Sequence, residues 1–220
     1  MFDIVILTDK RYVNPSKKDW YTNQVLLEDD ILKNALEKKG LNVSKKDWTD
    51  PNFKWENTRY AIFRTTWDYF DRFEEFFSWL KQTKNKTNFI NSYEIINWNI
   101  DKNYLKELER DGVNIAPTIF LKKGEKISLV ELLSISKWKE AVIKPAISGA
   151  ARHTYKINTK NYSEYEAIFN QLTSNESMLF QQYLYNITKE GEVSLIMIDG
   201  EYTHAVRKIA KKGDFRVQDD

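Results

Sequence analysis

The 220-residue sequence contains no cysteine. Disulfides, thiolate metal sites and cysteine nucleophiles are therefore excluded. Histidine occurs only twice, at His153 and His204, too few for a zinc centre built on imidazole. No stretch approaches the roughly 20 apolar residues that span a bilayer. The apolar start MFDIVILTDK is short, contains Asp3 and ends in charges, unlike a secretory signal. The chain thus reads as cytoplasmic. A large excess of one charge is also missing. Lys and Arg number 34 against 32 Asp and Glu, a net charge of +2. That balance gives no reason to invoke nucleic acid or an anionic membrane, so any anion site must be local. Neither G-x-G-x-x-G nor the Walker spacing G-x-x-x-x-G-K-[ST] occurs. No low-complexity segment appears. The string Lys-Lys-Asp-Trp at Lys17–Trp20 and Lys45–Trp48 is too short to be a repeat.

What is present is a soluble composition, 41% hydrophobic and 30% charged, long enough for a sizeable core. Phe2–Leu7 suits a buried strand. Asn23 to Lys39 carries Leu26, Leu27, Ile31, Leu32, Ala35 and Leu36 at helical spacing, with Gly40 as the stop. Short strands are predicted around Leu41–Ser44, in RYAIFRTTW and in TNFINS, with a helix from Asp71 to Gln82. Strands alternating with helices predict a parallel sheet covered by helices over residues 1–92. The pattern then changes. A helix is expected from Ile100 to Arg110, capped by Asn99 or Asn97 and stopped at Gly112. Pro117 opens a strand, and SLVELLSISK reads as a short helix. Strands at Ala141–Lys144 and Tyr155–Ile157, a helix at Tyr162–Leu172 and a strand at Met178–Leu184 follow. The last unit is a hairpin around Asp199-Gly200, a strong two-residue turn signal.

Several residues could carry chemistry, each with an ordinary alternative. Lys144 ends an apolar strand and shares a face with Val142; it must meet an anion or snorkel to water. Ser148, Gly149, Ala150 and Ala151 then let backbone N–H groups approach a ligand, and Arg152 adds planar donors that fit phosphate. A solvated hairpin tip explains the same loop. Gln181 and Gln182 interrupt an apolar strand, so one needs a buried partner or faces solvent at an edge. Counting outward from Asp199-Gly200 sets Glu192 opposite Arg207, with Ser194, Thr203 and Ala205 on their face. That is either an exposed ion pair or one wall of a cleft. His204 falls on the other, apolar face and reads as a packed structural histidine. Lys102 sits near a helix start, a place an anion would favour, or it is a plain surface lysine.

The order Asp101-Lys102, Lys144-Pro145 with a small-residue loop, Gln-Gln-Tyr-Leu, Gly191-Glu192 and VRKIAKKGDFRVQ resembles the ATP-grasp enzymes, especially the bacterial glutathione-synthetase-like group. RTTWDY (Arg64–Tyr69) with GDFRVQ (Gly213–Gln218) is most similar to O-ureido-serine cyclo-ligase-like members. The resemblance implies a parallel-sheet α/β substrate domain over 1–92, a first ATP-grasp lobe over 93–184, and the start of a second over 185–220, truncated in this chain. It implies that Lys102 and Lys144 contact ATP phosphates under a flap from Ser148 and Gly149 to Ala151. Gln181, with the backbone of Gln182 and Leu184, then holds adenine, and Glu192 holds ribose. Arg207 and Arg216 neutralise phosphates or an acyl phosphate. Asp9, Arg64, Thr65 and Asp68, at strand ends where open α/β sheets bind ligands, are the candidate contacts to a substrate carboxylate or amine.

The chemistry so implied is carboxylate–amine or cyclo-ligation through an acyl phosphate, with ATP and Mg2+, on small-molecule carboxylates and amines. The metal ligands are expected downstream of Asp220, because Asp214, Asp219 and Asp220 do not match the acidic pattern. A non-catalytic nucleotide- or amino-acid-binding remnant is the alternative, and phosphoryl transfer to a small-molecule hydroxyl a third. A homo-oligomer is left open.

Overall fold

The computed structural model describes residues 1–216; Gln218, Asp219 and Asp220 lie outside the described residues. Two compact units are present, Met1–Ile100 and a second from Asp101 onward.

In the first unit, strands β1 (Phe2–Thr8), β2 (Val43–Asp47), β3 (Thr58–Thr65) and β4 (Asn88–Ile90) form one parallel sheet in the order β2-β1-β3-β4. Helices α1 (Trp20–Glu37), α2 (Phe73–Thr83) and α3 (Tyr93–Asn99) connect or follow them. The centre of β1, Ile4–Leu7, is apolar throughout because both of its faces are covered. Val5 and Leu7 join Trp48, Trp55, Ala61, Phe76, Leu80 and Phe89, while Ile4 and Ile6 join Val43 on the other side. Each such large side chain contributes about 1.5–3 kcal/mol when fully buried. The first cluster is rich in rings meeting edge to face, Trp48 with Phe76 at 5.1 Å and Trp55 with Trp79 at 5.3 Å. Tyr93, Ile96 and Ile100 pack on it, so this unit runs through Ile100.

The α1 face differs from the apolar count. Leu27 and Ile31 are exposed, and the buried positions are Val25 and Asp29. Asp29 is tolerated because Lys45 Nζ lies 2.6 Å from its carboxylate. Asp19, whose carboxylate accepts from Thr22 N, starts this helix earlier than the apolar pattern predicts. The two Lys-Lys-Asp-Trp strings have unrelated environments: Trp20 is exposed and Trp48 buried.

The second unit holds an antiparallel sheet in the order β5-β8-β6-β7, formed by β5 (Thr118–Leu121), β6 (Glu140–Pro145), β7 (Tyr155–Asn158) and β8 (Met178–Gln182). Helices α4 (Tyr104–Arg110), α5 (Leu129–Ser136) and α6 (Tyr162–Asn175) belong to the same unit. Residues of α5, α6 and one sheet face build its core, including Leu129, Leu132, Ile143, Ile157, Phe169 and Phe180. A capping box between Ser128 and Glu131 starts α5. The helix predicted over 100–110 begins only at Tyr104, as α4, and its expected caps Asn97 and Asn99 lie inside the separate helix α3. Asp101 Oδ1 accepts from Asn103 N and Nδ2, both at 2.8 Å, and so turns the chain between them. A short helix, α7 (Tyr185–Glu190), follows β8 and was not anticipated.

β9 (Glu192–Ile198) and β10 (Glu201–Lys208) form a separate hairpin. Asp199 (φ 53°) and Gly200 (φ 81°) make its turn, as the sequence predicts. Its register is corrected by a β-bulge between Tyr202 and His204. Thr203 is the extra residue, its hydroxyl donating to Ile196 O at 3.1 Å. Beyond the bulge every pairing slips by one. Glu192 faces Lys208, and Arg207 faces Val193 on the opposite side of the hairpin. His204 is exposed opposite Ile196, not packed. Gly191 leads into β9 at φ 87°, where a Cβ would come within 2.6 Å of Lys208 O, so only glycine fits.

Candidate functional site

Alternation along β6 buries Ala141 and Ile143 in the core and turns Val142 and Lys144 to the other face. There they line a cavity of about 310 Å³ with Gln181, Gln182, Tyr183 and Leu184 from β8 and its exit. Ala151 and Thr154 from the loop after β6, Ile187 of α7, Glu192 at the start of β9, and Phe215 and Arg216 complete the wall. The predicted residues Lys144, Gln181, Gln182, Leu184, Glu192 and Arg216 are thus brought to one place. Lys144 Nζ donates to Gln181 Oε1 at 2.8 Å, and Gln181 Nε2 donates to Thr118 Oγ1 at 2.8 Å. Burial pushes the Lys144 ammonium below its usual pKa, while Glu192 pulls the other way.

Lys102 does not line this cavity but stands beside it. Its Nζ donates to Ser148 O at 2.8 Å and Ala146 O at 3.3 Å, and its own N–H donates to Ala146 O. Burial and the nearby charge of Lys144 lower its pKa to about 8, with Asp101 opposing. Two ammonium groups held close with little water is an arrangement that an anion relieves.

The loop between β6 and β7 is ordered by its own bonds. Ser148 Oγ donates to Arg152 O, and Gly149 O accepts from Arg152 N. Ala150, Ala151 and His153 adopt positive φ of 47°, 56° and 49°. Arg152 is turned away from a phosphate role, both guanidinium arms donating to Glu176 at 2.9 and 3.0 Å. Ser148 and Gly149 do not line the cavity, whereas Ala151 and Thr154 do. His153 Nδ1 lies 3.3 Å from Tyr155 Oη. Arg207 lines no part of this cavity, for the register reason above. Arg216 does, and it grips Asp214, holding that carboxyl well below the usual carboxylate range.

In the first unit the four strand-end candidates separate. Asp9 and Thr65 meet at the ends of β1 and β3: Asp9 N donates to Thr65 O, and the Thr8 and Thr65 hydroxyls lie 2.5 Å apart. Asp9 itself is buried and accepts from Arg11 N, Nε and Nη2. Asp68 accepts from Trp48 Nε1 and Arg72 Nη1. Arg64 points to the α1 side and pairs with Glu28 at 2.6 Å, Asp29 lying 3.8 Å away. Trp67 packs against Tyr12 and Tyr21, and Tyr69 against Phe76 of α2.

Residues 113–218 match the family model described as prokaryotic glutathione synthetase, ATP-grasp domain. That segment of the chain therefore resembles an ATP-grasp domain. Residues 4–91 match a second model, the N-terminal domain of D-cycloserine synthetase DcsG. Cycloserine biosynthesis protein DcsG of Streptomyces lavendulae is 25% identical over 173 residues, covering 77% of this chain; the chain spans 58% of that relative's length. The crystal structure of D-cycloserine synthetase DcsG superposes with a TM-score of 0.82 at 23% identity, over 94% of this chain and 68% of that one. D-alanyl-alanine synthetase A from Vibrio cholerae O1 biovar eltor superposes with a TM-score of 0.61 at 14% identity, over 98% and 69%. These superpositions establish an ATP-grasp fold, with the parallel sheet of the first unit and the antiparallel sheet of the second in their expected places along the chain.

Sequence reasoning missed Thr118, Thr154, Tyr183, Ile187 and Phe215 as neighbours of the site. None left a usable signal: Thr118 sits directly opposite Gln181, but that pairing is invisible without the sheet order. Among the described residues no group of three or more His, Cys, Asp or Glu could hold a metal ion. Glu192 is the carboxylate on the cavity wall, and Asp214 is engaged by Arg216. These donors do not make a magnesium site.

Proposed function

We propose that this chain binds ATP in the second unit and serves a carboxylate–amine or cyclo-ligase that works through an acyl phosphate in the cytoplasm. The observation that carries the reading is the convergence of Lys144, Gln181, Glu192 and Arg216 on one cavity in a segment that matches an ATP-grasp domain. The cavity offers what a nucleotide needs: an apolar floor from Val142, Tyr183, Leu184 and Ile187 for a base, a carboxylate for ribose hydroxyls, and cations for phosphates. Residues 1–92 are proposed as the substrate domain for a small-molecule carboxylate and amine, 93–184 as the first ATP-grasp lobe and 185–220 as the opening of the second. Magnesium is proposed to come with the nucleotide.

Lys144 and Lys102 would balance charge on the triphosphate while the substrate carboxylate attacks its γ-phosphorus. The γ–β bridging oxygen leaves with ADP, and the carboxylate becomes an acyl phosphate. The amine then displaces inorganic phosphate and loses a proton, giving the amide. The cations contribute by charge placement fixed before reaction, which requires no side-chain nucleophile.

The test is thermal unfolding with MgATP, followed by ADP release on adding candidate carboxylates and amines. Ligand at about 100 times its Kd adds about 2.7 kcal/mol of stability. Wild type is expected to shift, and Lys144→Ala to lose most of the shift. Equal shifts in both, or none in wild type, would overturn the nucleotide assignment. Nucleotide binding without acceptor-dependent ADP release would remove the ligase step.

A further inference from the structure

Thr118 carries no charge, yet it anchors a directional hydrogen-bond chain that reaches Lys144. An ammonium has donors and no acceptor, so the amide atom facing Lys144 must be the oxygen of Gln181. Its nitrogen then faces the other way, onto Thr118 Oγ1 at 2.8 Å. The Thr118 hydroxyl in turn donates its own proton to Ala116 O, which can only accept, at 2.7 Å. Each donor in the series meets an acceptor, and flipping the amide would set its NH2 against the ammonium.

The sheet fixes the spacing of these groups. Thr118 and Gln181 are direct partners across β5 and β8. Gln181 is opposite Val142 on β6, with Lys144 two residues along the same face. We propose that Thr118 is a positioning residue which, acting through Gln181, holds the Lys144 ammonium at one point of the cavity wall, ready for an anionic ligand. That the anion is a nucleotide phosphate rests on the function proposed above; the positioning itself does not.

The charged groups around Lys144 are Glu192, Arg216 and, beside the cavity, Lys102, and none is altered in the variants that test this. Lysine acetylation by acetic anhydride, read by peptide mass spectrometry across pH, reports the Lys144 amine without any ligand. Thr118→Val and Gln181→Leu are each expected to lower the pH midpoint of Lys144 labelling, because a well-aimed acceptor favours the ammonium. The double variant should fall no further than Gln181→Leu alone, and Thr118→Ser should keep the wild-type midpoint. A wild-type midpoint in Thr118→Val, or additive shifts in the double variant, would overturn the inference.

A calorimetric arm compares ATP with adenosine. Both ends of the Gln181 amide are committed to Lys144 and Thr118, so the inference gives Gln181 a positioning role in place of the adenine contact expected from the resemblance; Thr118→Val should then weaken ATP about three- to tenfold, the worth of one modest hydrogen bond, and leave adenosine unchanged. Equal losses for both ligands would show a merely structural role. If wild type binds neither, the nucleotide reading fails while the labelling arm still decides the role of Thr118.

Discussion

Lys102 makes a quantitative prediction. Its pKa is lowered to about 8 because burial and the charge of Lys144 disfavour its ammonium. A triphosphate bound beside the pair does the opposite, so the bound-state pKa rises towards that of an ordinary lysine. The free form is then protonated to about nine-tenths at pH 7, about one-half at pH 8 and about one-tenth at pH 9. Binding should therefore take up about 0.1, 0.5 and 0.9 protons at those three values. The sign follows directly: uptake means that affinity is fully present below pH 8 and falls as pH rises above it. The loss approaches about tenfold per pH unit, or about 1.4 kcal/mol. Titration calorimetry in buffers of different ionisation enthalpy measures the uptake, and ATP itself is fully ionised at pH 8 and 9. Lys102→Arg keeps a charge but does not titrate in this range, so uptake at pH 8 should fall by the Lys102 share of about 0.5 proton. Uptake of the same size in Lys102→Arg, or none in wild type at pH 8, would refute the reasoning.

Two further predictions concern the backbone. Ala150 and Ala151 sit at φ 47° and 56°, a region that costs an L-residue about 1–2 kcal/mol; glycine there loses about 0.5–1 kcal/mol in chain entropy. The Ala150→Gly/Ala151→Gly protein should gain about 1 kcal/mol in urea unfolding, and a destabilised variant would show that the loop bears no such strain. The chain has no native cysteine, so the hairpin register can be read by cross-linking. Glu192→Cys/Lys208→Cys should oxidise to a disulfide because directly paired Cα atoms lie about 4.5–5.5 Å apart, whereas Glu192→Cys/Arg207→Cys should stay reduced; the reverse outcome would remove the bulge at Thr203.

Much of the architecture was legible in the chain. The alternating apolar strands and helices of the first unit, the strand carrying Lys144, and the Asp199-Gly200 turn all depend on neighbours a few residues apart. The placement of Val142 and Lys144 on one face needed only the two-residue period of a strand. The exceptions have specific causes. Asp101 breaks the expected helix by bonding Asn103. Asp29 sits in the buried face of α1 because Lys45, from another strand, lies against it. Arg152 has donors that fit phosphate, but Glu176, 24 residues away, takes both of its guanidinium arms.

By itself, then, the sequence determined the class of each unit, the turn and the face on which Lys144 lies, since these follow from local periodicity. Only the tertiary structure decided which groups share the cavity, that Thr118 stands behind Gln181, and that Arg207 points away from Glu192. Pairing between strands distant in sequence is set by sheet order and by a single bulged residue. One inserted position inverts every side chain beyond it, and no local pattern records that choice.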